Sequence, residues 1–386
     1  MPSLGLFTYS TLPRGSVVHA AHLADALHDA GWDVTLYALD KDGRGFFRPL
    51  RARLRLIPAT AAPPSTAELV RLRTEELAGY LTTHGGAHAL YHAEDCLTAS
   101  GLLAARRRGV SVTLVRTVHH VERFADPFLA RCQERSIHEA DVCLTVSEAA
   151  RQDVARQFGV TAPVVGNGVD VERFRCVDTA RIAAWRARLG ASGPVVLAVG
   201  GVEERKNSVR LLGAWARLRQ GHPDAQLWIL GGATVLDHGA TRARFEAVRA
   251  ALPAEARVAV HELGVVAEAD VPALYHLADV VALPSLHEGF GLAALEALAA
   301  GRPVVVSNRP PFTEFLTPAC ATLVDPQSET AIADGLSAAL NATPARRDRG
   351  RRTALAHSWA RVAAHHVSAY ERILSHATDA LLGSLA

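Results

Sequence analysis

Two glutamates lie eight positions apart in a glycine-containing segment. Glu288 precedes a Gly-Phe-Gly step and Glu296 lies in the Ala/Leu-rich run that follows, within LPSLHEGFGLAALEALAAGRPVVVS. The composition predicts a loop carrying the first carboxylate and a helix carrying the second. Gly289 and Gly291 would let backbone approach a ligand closely, and the first helical N–H groups would bind an anion. The segment predicts a binding site for a ligand that carries hydroxyl and anionic groups.

A second cluster pairs glycines with cations. Gly200 and Gly201 end an apolar run, and Arg205 and Lys206 follow before another helical pattern, in VGGVEERKNS. Arginine offers a planar fork and lysine a compact charge, so the pair suits a diphosphate and could replace a divalent metal. Neither a G-x-G-x-x-G nor a G-x-x-x-x-G-K-[ST] motif occurs, which weighs against a dinucleotide enzyme or a P-loop ATPase.

Both clusters follow short β-branched runs that alternate with segments of helical period. This alternation predicts parallel sheets covered by helices, and the series restarts halfway along the chain. Strands are predicted over residues 4–9, 33–37, 89–91, 111–115 and 141–146, and then over 194–199, 225–230, 257–260, 279–283, 303–306 and 321–324. Two doubly wound domains in tandem would bind ligands in the crevice at the carboxyl ends of their strands.

Composition excludes several classes of protein. The 386 residues are 49% hydrophobic and 21% charged with a formal net charge of +2, so a nucleic-acid partner is not predicted. Five scattered cysteines indicate reduced thiols rather than a disulfide framework or zinc site. No basic leader or long apolar run is present. We expect a cytoplasmic protein, with peripheral membrane contact left open.

The motifs resemble those of the retaining GT-B glycosyltransferases of family 4, over most of the chain. The Glu288-x7-Glu296 element is the most specific signature, and VGGVEERKN resembles the family's phosphate-binding segment. VVGNGVDVERF resembles its interdomain segment. In the first half, LPRGSVVH resembles the acceptor-side glycine loop and Val118-His119-His120 the strand-end histidine.

The resemblance implies an α/β protein of GT-B fold, with two Rossmann-like doubly wound parallel-sheet domains facing a central cleft. The expected acceptor-side domain spans residues 1–172, a linker 173–185 and the nucleotide-sugar-binding domain 186–359. A C-terminal helix over residues 360–376 is expected to pack back on the first domain.

The resemblance also implies the reaction. A sugar would move from a UDP- or GDP-linked donor to an acceptor hydroxyl with retention of configuration, without a cofactor or metal. The implied catalytic residues are His119, Glu288, Arg205 and Lys206. The implied donor-binding residues are Gly200, Gly201, Arg205, Lys206, Leu263, Gly264, Val265, Glu288, Gly289, Phe290, Gly291, Leu292 and Glu296, and the acceptor-side residues are Arg14, Gly15, Ser16, His19 and His120.

Three positions depart from the family pattern. Arg14-Gly15 replaces a frequent glycine pair, and Gly201 stands where an arginine is common, so more charge falls on Arg205 and Lys206. A second histidine, His120, follows His119 in place of an aspartate, so the choice between the two histidines stays open.

Three other functional classes share parts of this pattern. A glycoside hydrolase also uses paired carboxylates but needs no cationic phosphate cradle. A metal-dependent transferase would use a D-x-D motif, and Asp40-Lys41-Asp42 is one, although its place before a glycine indicates a turn. A catalytically silent nucleotide-sugar-binding or scaffold protein of the same fold is the remaining alternative, which donor turnover would separate from an enzyme.

Overall fold

The computed structural model describes residues 2–85, 88–176, 178–232 and 239–383. The chain forms two compact units. The first comprises residues 1–168 together with 359–386, and the second comprises residues 169–358. The predicted linker, 173–185, lies within the second unit and contains the end of one helix and part of another.

The first unit is built on a six-stranded parallel sheet of order β3-β2-β1-β4-β5-β6. This order reverses direction between β1 and β4, which is the arrangement of doubly wound nucleotide-binding sheets. The strands are β1 (Ser3–Thr8), β2 (Asp33–Asp40), β3 (Arg53–Pro58), β4 (Leu90–Ala93), β5 (Leu114–Val118) and β6 (Val142–Thr145).

The second unit repeats this plan with the order β12-β11-β10-β7-β8-β9, again parallel throughout. Its switch point lies between β7 and β10. The strands are β7 (Val195–Val199), β8 (Gln226–Leu230), β9 (Val260–Gly264), β10 (Val280–Leu283), β11 (Val304–Ser307) and β12 (Thr322–Val324). Two six-stranded parallel sheets confirm the predicted fold class.

Helices connect the strands in both units. Those of the first unit are α1 (Gly15–Asp29), α2 (Thr66–His84), α3 (Cys96–Arg107), α4 (Pro127–His138), α5 (Glu148–Phe158) and α16 (Trp359–Gly383). Those of the second are α6 (Val171–Arg175), α7 (Thr179–Leu189), α8 (Ser208–Leu218), α9 (Gly239–Ala250), α10 (Ala254–Val258), α11 (Val271–Leu277), α12 (Leu292–Ala299), α13 (Phe312–Phe315), α14 (Glu329–Leu340) and α15 (Pro344–Leu355). A 3₁₀ turn covers Glu268–Asp270.

Apolar side chains of both strands and helices form the cores. In the first unit the rings of Phe7 and Tyr37 stack with centroids 4.6 Å apart, and in the second Trp215 and Trp228 are fully buried. The C-terminal helix α16 belongs to the first unit, where the Trp359 ring stacks on His22 at 5.2 Å between centroids. Among the described helices, none combines the length and apolarity needed to cross a membrane.

Two strand predictions were wrong in detail, and one strand was not predicted. The strand predicted at 111–115 begins three residues later, at Leu114. The first two residues of the run predicted at 257–260 end the short helix α10, and β9 starts only at Val260. Strand β3 was missed because alternate residues at the start of RLRLIP are arginines, and it lies at the sheet edge, where four of its six residues are exposed.

Candidate functional site

The predicted site residues follow strands at the switch point of each sheet or next to it. In the second unit, Gly200 follows β7 and Glu288 lies in the loop after β10, which pairs with β7. In the first unit, Arg14 and Gly15 lie in the turn after β1, and His119 comes directly after β5. Carboxyl ends of parallel strands share one sheet edge, so each set is gathered at the edge where such sheets bind ligands.

The two cations of the second unit converge on Glu288. Lys206 Nζ donates to Glu288 Oε2 at 2.7 Å, and Arg205 NH1 lies 3.4 Å from Oε1. Arg205 Nε also lies 3.0 Å from a carboxylate oxygen of Glu203, which is 2% exposed. Burial lowers the pKa of Lys206, and Glu288 opposes that shift. The arrangement holds two cationic side chains beside a loop carboxylate.

Asn207 fixes the loop that carries these cations. Its φ of 60° lies in the left-handed region, which asparagine tolerates better than most residues. Its Nδ2 donates to the carbonyl of Pro284 at 2.9 Å and to that of Pro326 at 2.6 Å. Since these carbonyls follow β10 and β12, one buried amide joins three strand-end loops.

Glycines allow the neighbouring turns to touch. Gly200 and Gly201 have φ of 121° and 74°, and a Cβ on Gly201 would lie 2.9 Å from the carbonyl oxygen of Gly232. Gly231 N donates to Gly264 O at 2.9 Å. Leu263 and Gly264, which were predicted to bind the donor, are the last two residues of β9. Val265, the next predicted donor-binding residue, is 61% exposed.

Helix α12 presents its N-terminus beside this loop. Gly291 is its N-cap with φ of 100°, and a Cβ there would lie 2.4 Å from the Phe312 ring. Gly289 and Leu292 flank this turn half-buried, and Phe290 is buried and stacks on Phe315 at 4.9 Å. The N-cap residue, a glycine, has no side chain to cap the helix start, which suits an anion-binding N-terminus.

Glu296 lies one turn into α12 and is partly buried. Tyr275 donates its hydroxyl to Glu296 Oε2 at 2.5 Å. Burial raises the pKa of Glu296, while Tyr275 and then Arg173 oppose that shift. The tyrosine thus holds one carboxylate oxygen in place.

In the first unit, His119 joins a buried polar cluster centred on Glu94. His119 Nε2 lies 2.8 Å from Glu94 Oε2, and His19 Nε2 lies 3.7 Å from the same oxygen. His92 Nε2 lies 3.7 Å from Glu94 Oε1. Burial lowers the pKa of His19 and of His119 to about 3, so both imidazoles are neutral at pH 7. The α16 residues His366 and Tyr370 complete the cluster.

The structure distinguishes His119 from His120. His119 has a 15% exposed side chain within the cluster, whereas His120 is 45% exposed and bonds Glu122 at 2.8 Å. Of the two histidines between which the sequence left the choice open, His119 is the buried one and remains the candidate site residue.

The predicted acceptor-side residues differ in exposure. Gly15 is exposed at the start of α1, next to the half-buried Ser16, and the Arg14 guanidinium lies 5.8 Å from the Tyr9 ring centroid. His19 is fully buried and its Nδ1 bonds Asn167 Oδ1 at 3.1 Å. His19, predicted on the acceptor side, therefore has no solvent-exposed surface in this conformation.

The D-x-D sequence forms a turn. Asp40 ends β2 and its carboxylate accepts from the backbone of Gly43 at 3.1 Å and Gly45 at 3.2 Å. The group of His19, Glu94 and His119 has ligand atoms within 4.8 Å of one another, so of the described residues these are the ones whose spacing could hold a metal ion.

Sequence reasoning missed Glu94, Asn207 as a loop tie, and Tyr275. Glu94 directly follows β4, so its place at a strand end was a usable signal. Tyr275 lies on α11, far from any motif, and nothing in the local sequence indicates its contact with Glu296.

Two family models match adjoining parts of the chain. "Glycosyltransferase Family 4" matches residues 13–173 and "Glycosyl transferases group 1" matches residues 182–355. The MMP alpha-(1->4)-mannosyltransferase of Mycolicibacterium hassiacum is 29% identical over 94% of this chain and 95% of its own length. A GDP-mannose-dependent alpha-(1-6)-phosphatidylinositol dimannoside mannosyltransferase of Mycobacterium tuberculosis is 28% identical over 83% of this chain and 77% of its own.

Solved structures show the same fold. Sucrose-phosphate synthase from Thermosynechococcus elongatus superimposes with a TM-score of 0.77 at 22% identity, covering 97% of this chain and 100% of that one. Anabaena HepE, in complex with UDP and glucose, gives a TM-score of 0.73 at 18% identity, covering 96% and 100%. With its two Rossmann-ordered sheets and the two adjoining family matches, this chain belongs to glycosyltransferase family 4 and has the GT-B fold.

Proposed function

We propose that this chain transfers a hexosyl group from a UDP- or GDP-linked sugar to an acceptor hydroxyl, with retention and without a metal ion. The observation that carries the proposal is the pair of cations, Arg205 and Lys206, which contact Glu288 four residues before Leu292, the first residue of α12. Fixed cations and helical N–H groups are the ligands that a diphosphate prefers.

The same groups would act in the transition state. When the anomeric bond breaks, negative charge grows on the departing phosphate, and cations already fixed there stabilise that charge without reorganising. The acceptor hydroxyl would attack from the leaving group's own face, which gives retention, and the phosphate oxygen would take its proton. Glu296 would accept from the ribose hydroxyls, while Glu288 and His119 would contact hydroxyls of the donor sugar.

The names of the relatives narrow the donors to be tried. Two are mannosyltransferases, one of them GDP-mannose-dependent, and HepE was solved with UDP and glucose. GDP-mannose and UDP-glucose are therefore the first donors to test, and the acceptor remains to be found by screening.

Thermal unfolding with nucleotides tests the proposed diphosphate site, here called the cationic cradle, which is formed by Arg205, Lys206 and the start of α12. A ligand at 100 times its dissociation constant stabilises the folded chain by about 2.7 kcal/mol, which is visible in the midpoint. We expect UDP or GDP to raise the midpoint equally with and without EDTA. Lys206→Met should abolish the shift, whereas Lys41→Met, which changes the chain's other lysine at an exposed turn, should leave it intact.

Two results would contradict the proposal. A shift that needs added metal would remove the metal-free mechanism, and a shift that survives in Lys206→Met would remove the cationic cradle. Release of UDP or GDP from the sugar nucleotide, measured with the wild-type chain, separates an enzyme from a protein that only binds the donor.

A further inference from the structure

Glu94 is enclosed by imidazoles at the carboxyl end of β4. Its side chain has no exposed surface, and three histidine nitrogens surround it, at 2.8 Å for His119 and 3.7 Å for His19 and His92. A buried carboxylate is costly unless its oxygens accept hydrogen bonds. Its contacts therefore determine what the neighbouring histidines can do.

The proton position of His19 follows from its other partner, and His92 has both of its ring nitrogens occupied. Asn167 Oδ1 accepts from Gly168 N at 3.0 Å, which assigns it as the amide oxygen, so His19 Nδ1, 3.1 Å away, carries the proton. His19 Nε2 then holds a lone pair and has no hydrogen-bond partner among the described residues. His92 is bonded on both nitrogens, to Tyr370 at 2.6 Å and to Thr117 at 2.7 Å.

Among the described residues, His119 is therefore the histidine that is hydrogen-bonded to the Glu94 side chain. The bond occupies Nε2 of a ring that keeps 15% of its side chain exposed. Nδ1 is consequently the ring nitrogen left for a ligand. When Glu94 accepts the Nε2–H, the neutral ring must present a lone pair at Nδ1.

We propose that Glu94 is a positioning residue, whose carboxylate holds His119 in the tautomer with its proton on Nε2, so that Nδ1 accepts a hydrogen bond from a hydroxyl of the donor sugar. The inference rests on the proposed function, because it assigns His119 to the sugar. The inference adds that Glu94 fixes the orientation of the His119 ring. A carboxylate commonly orients metal-ligating and catalytic histidines in this way.

The role assigned to Glu94 is orientation, and this predicts an order among its variants. In Glu94→Gln the amide oxygen can still accept from His119, while the amide N–H₂ can donate to the lone pair on His19 Nε2. Glu94→Met keeps the length of the side chain and lacks a strong acceptor. A role based on charge, or on holding a metal ion, would instead be lost in both variants.

Binding calorimetry measures the effect without an acceptor. The pairs UDP with UDP-glucose, and GDP with GDP-mannose, are titrated into the full chain, and the ratio of the two dissociation constants reports contacts to the sugar. Glu94→Met should weaken binding of the sugar nucleotide about tenfold, the loss of roughly one hydrogen bond, and leave the nucleoside diphosphate within about twofold. Glu94→Gln should weaken binding of the sugar nucleotide by less than about threefold.

Two controls separate positioning from structure. Tyr370→Phe removes a hydrogen bond from the same buried cluster without touching His119, and should leave the ratio unchanged. His119→Ala should reproduce the loss seen in Glu94→Met, and the double variant should lose no more, because residues acting through one another are not additive. If Glu94→Met does not fold, Glu94→Ala takes its place.

The outcomes distinguish the two proposals. If the wild type binds neither sugar nucleotide nor nucleoside diphosphate, the proposed function fails and this inference with it. If the wild type binds both but Glu94→Met leaves the ratio unchanged, or Glu94→Gln loses as much as Glu94→Met, only the positioning role is overturned. Additive losses in the double variant would also overturn it.

Discussion

At the scale of single residues, the buried imidazoles of the first unit make its stability depend on pH. Burial lowers the pKa of His19 to about 3 and that of His366 to about 4. The unfolded chain therefore binds more protons than the folded chain below about pH 6.5, and stability falls as the pH drops from there towards 4. The opposing group is Glu94, whose pKa is raised by burial.

We predict that removing one of these imidazoles flattens that dependence. Each buried neutral histidine lowers the free energy of unfolding by about 2 kcal/mol between pH 7 and pH 5. The thermal midpoint of His366→Leu should therefore fall less than that of the wild type over this range. His28→Gln, a change at an exposed helix end, is the control, and parallel curves for all three proteins would contradict the assignment.

At the scale of one element, α12 depends on the glycine at its start. Gly291 combines a φ of 100° with a neighbouring Phe312 ring that a Cβ would approach to 2.4 Å. Gly291→Ala should lower the free energy of unfolding by at least about 1 kcal/mol, because both the backbone and the contact must shift. It should also weaken nucleotide binding, since the helix N–H groups move.

Gly15→Ala is the matched control in stability measurements. Gly15 also begins a helix, but a Cβ there would meet nothing within 4 Å. Urea denaturation of both variants should show a loss for Gly291→Ala alone. Equal losses would mean that the start of α12 is not constrained by Phe312.

At the scale of the whole molecule, the C-terminal helix packs against residues from the N-terminal part of the chain. Helix α16 brings Trp359 against His19 and His22, and Tyr370 against His92, although these partners lie more than 270 positions apart in the sequence. A chain ending at Ser358 would expose the buried cluster around Glu94, and its first unit should unfold at a lower temperature.

A chain ending at Ser375 provides the control, since it keeps Trp359, His366 and Tyr370. We expect scanning calorimetry to show a lower transition for the first truncation and a nearly unchanged one for the second. The nucleotide-dependent shift should persist in both, because Arg205, Lys206, Glu288 and α12 all belong to the second unit. Loss of that shift on truncation at Ser358 would contradict the assignment of nucleotide binding to the second unit.

The sequence by itself determined the fold class, the repeat of a βα plan and most residues at the strand ends. It could do so because strand periodicity, glycine placement and local charge are properties of neighbouring positions. Glu288 and Lys206 were singled out in this way, whereas His119 was singled out by the resemblance of Val118-His119-His120 to a family motif. The edge strand β3 and the start of β9 were not, since their local pattern is mixed with that of exposed or helical segments.

Only the tertiary structure decided which of these residues touch. Lys206 meets Glu288 across 82 positions and Asn207 meets Pro326 across 119. Glu94 reaches His119 only because β4 and β5 are neighbours in the sheet, and Tyr275 reaches Glu296 from another helix. Such pairs arise from the closing of sheets and the packing of helices over them, so no local pattern in the chain records them.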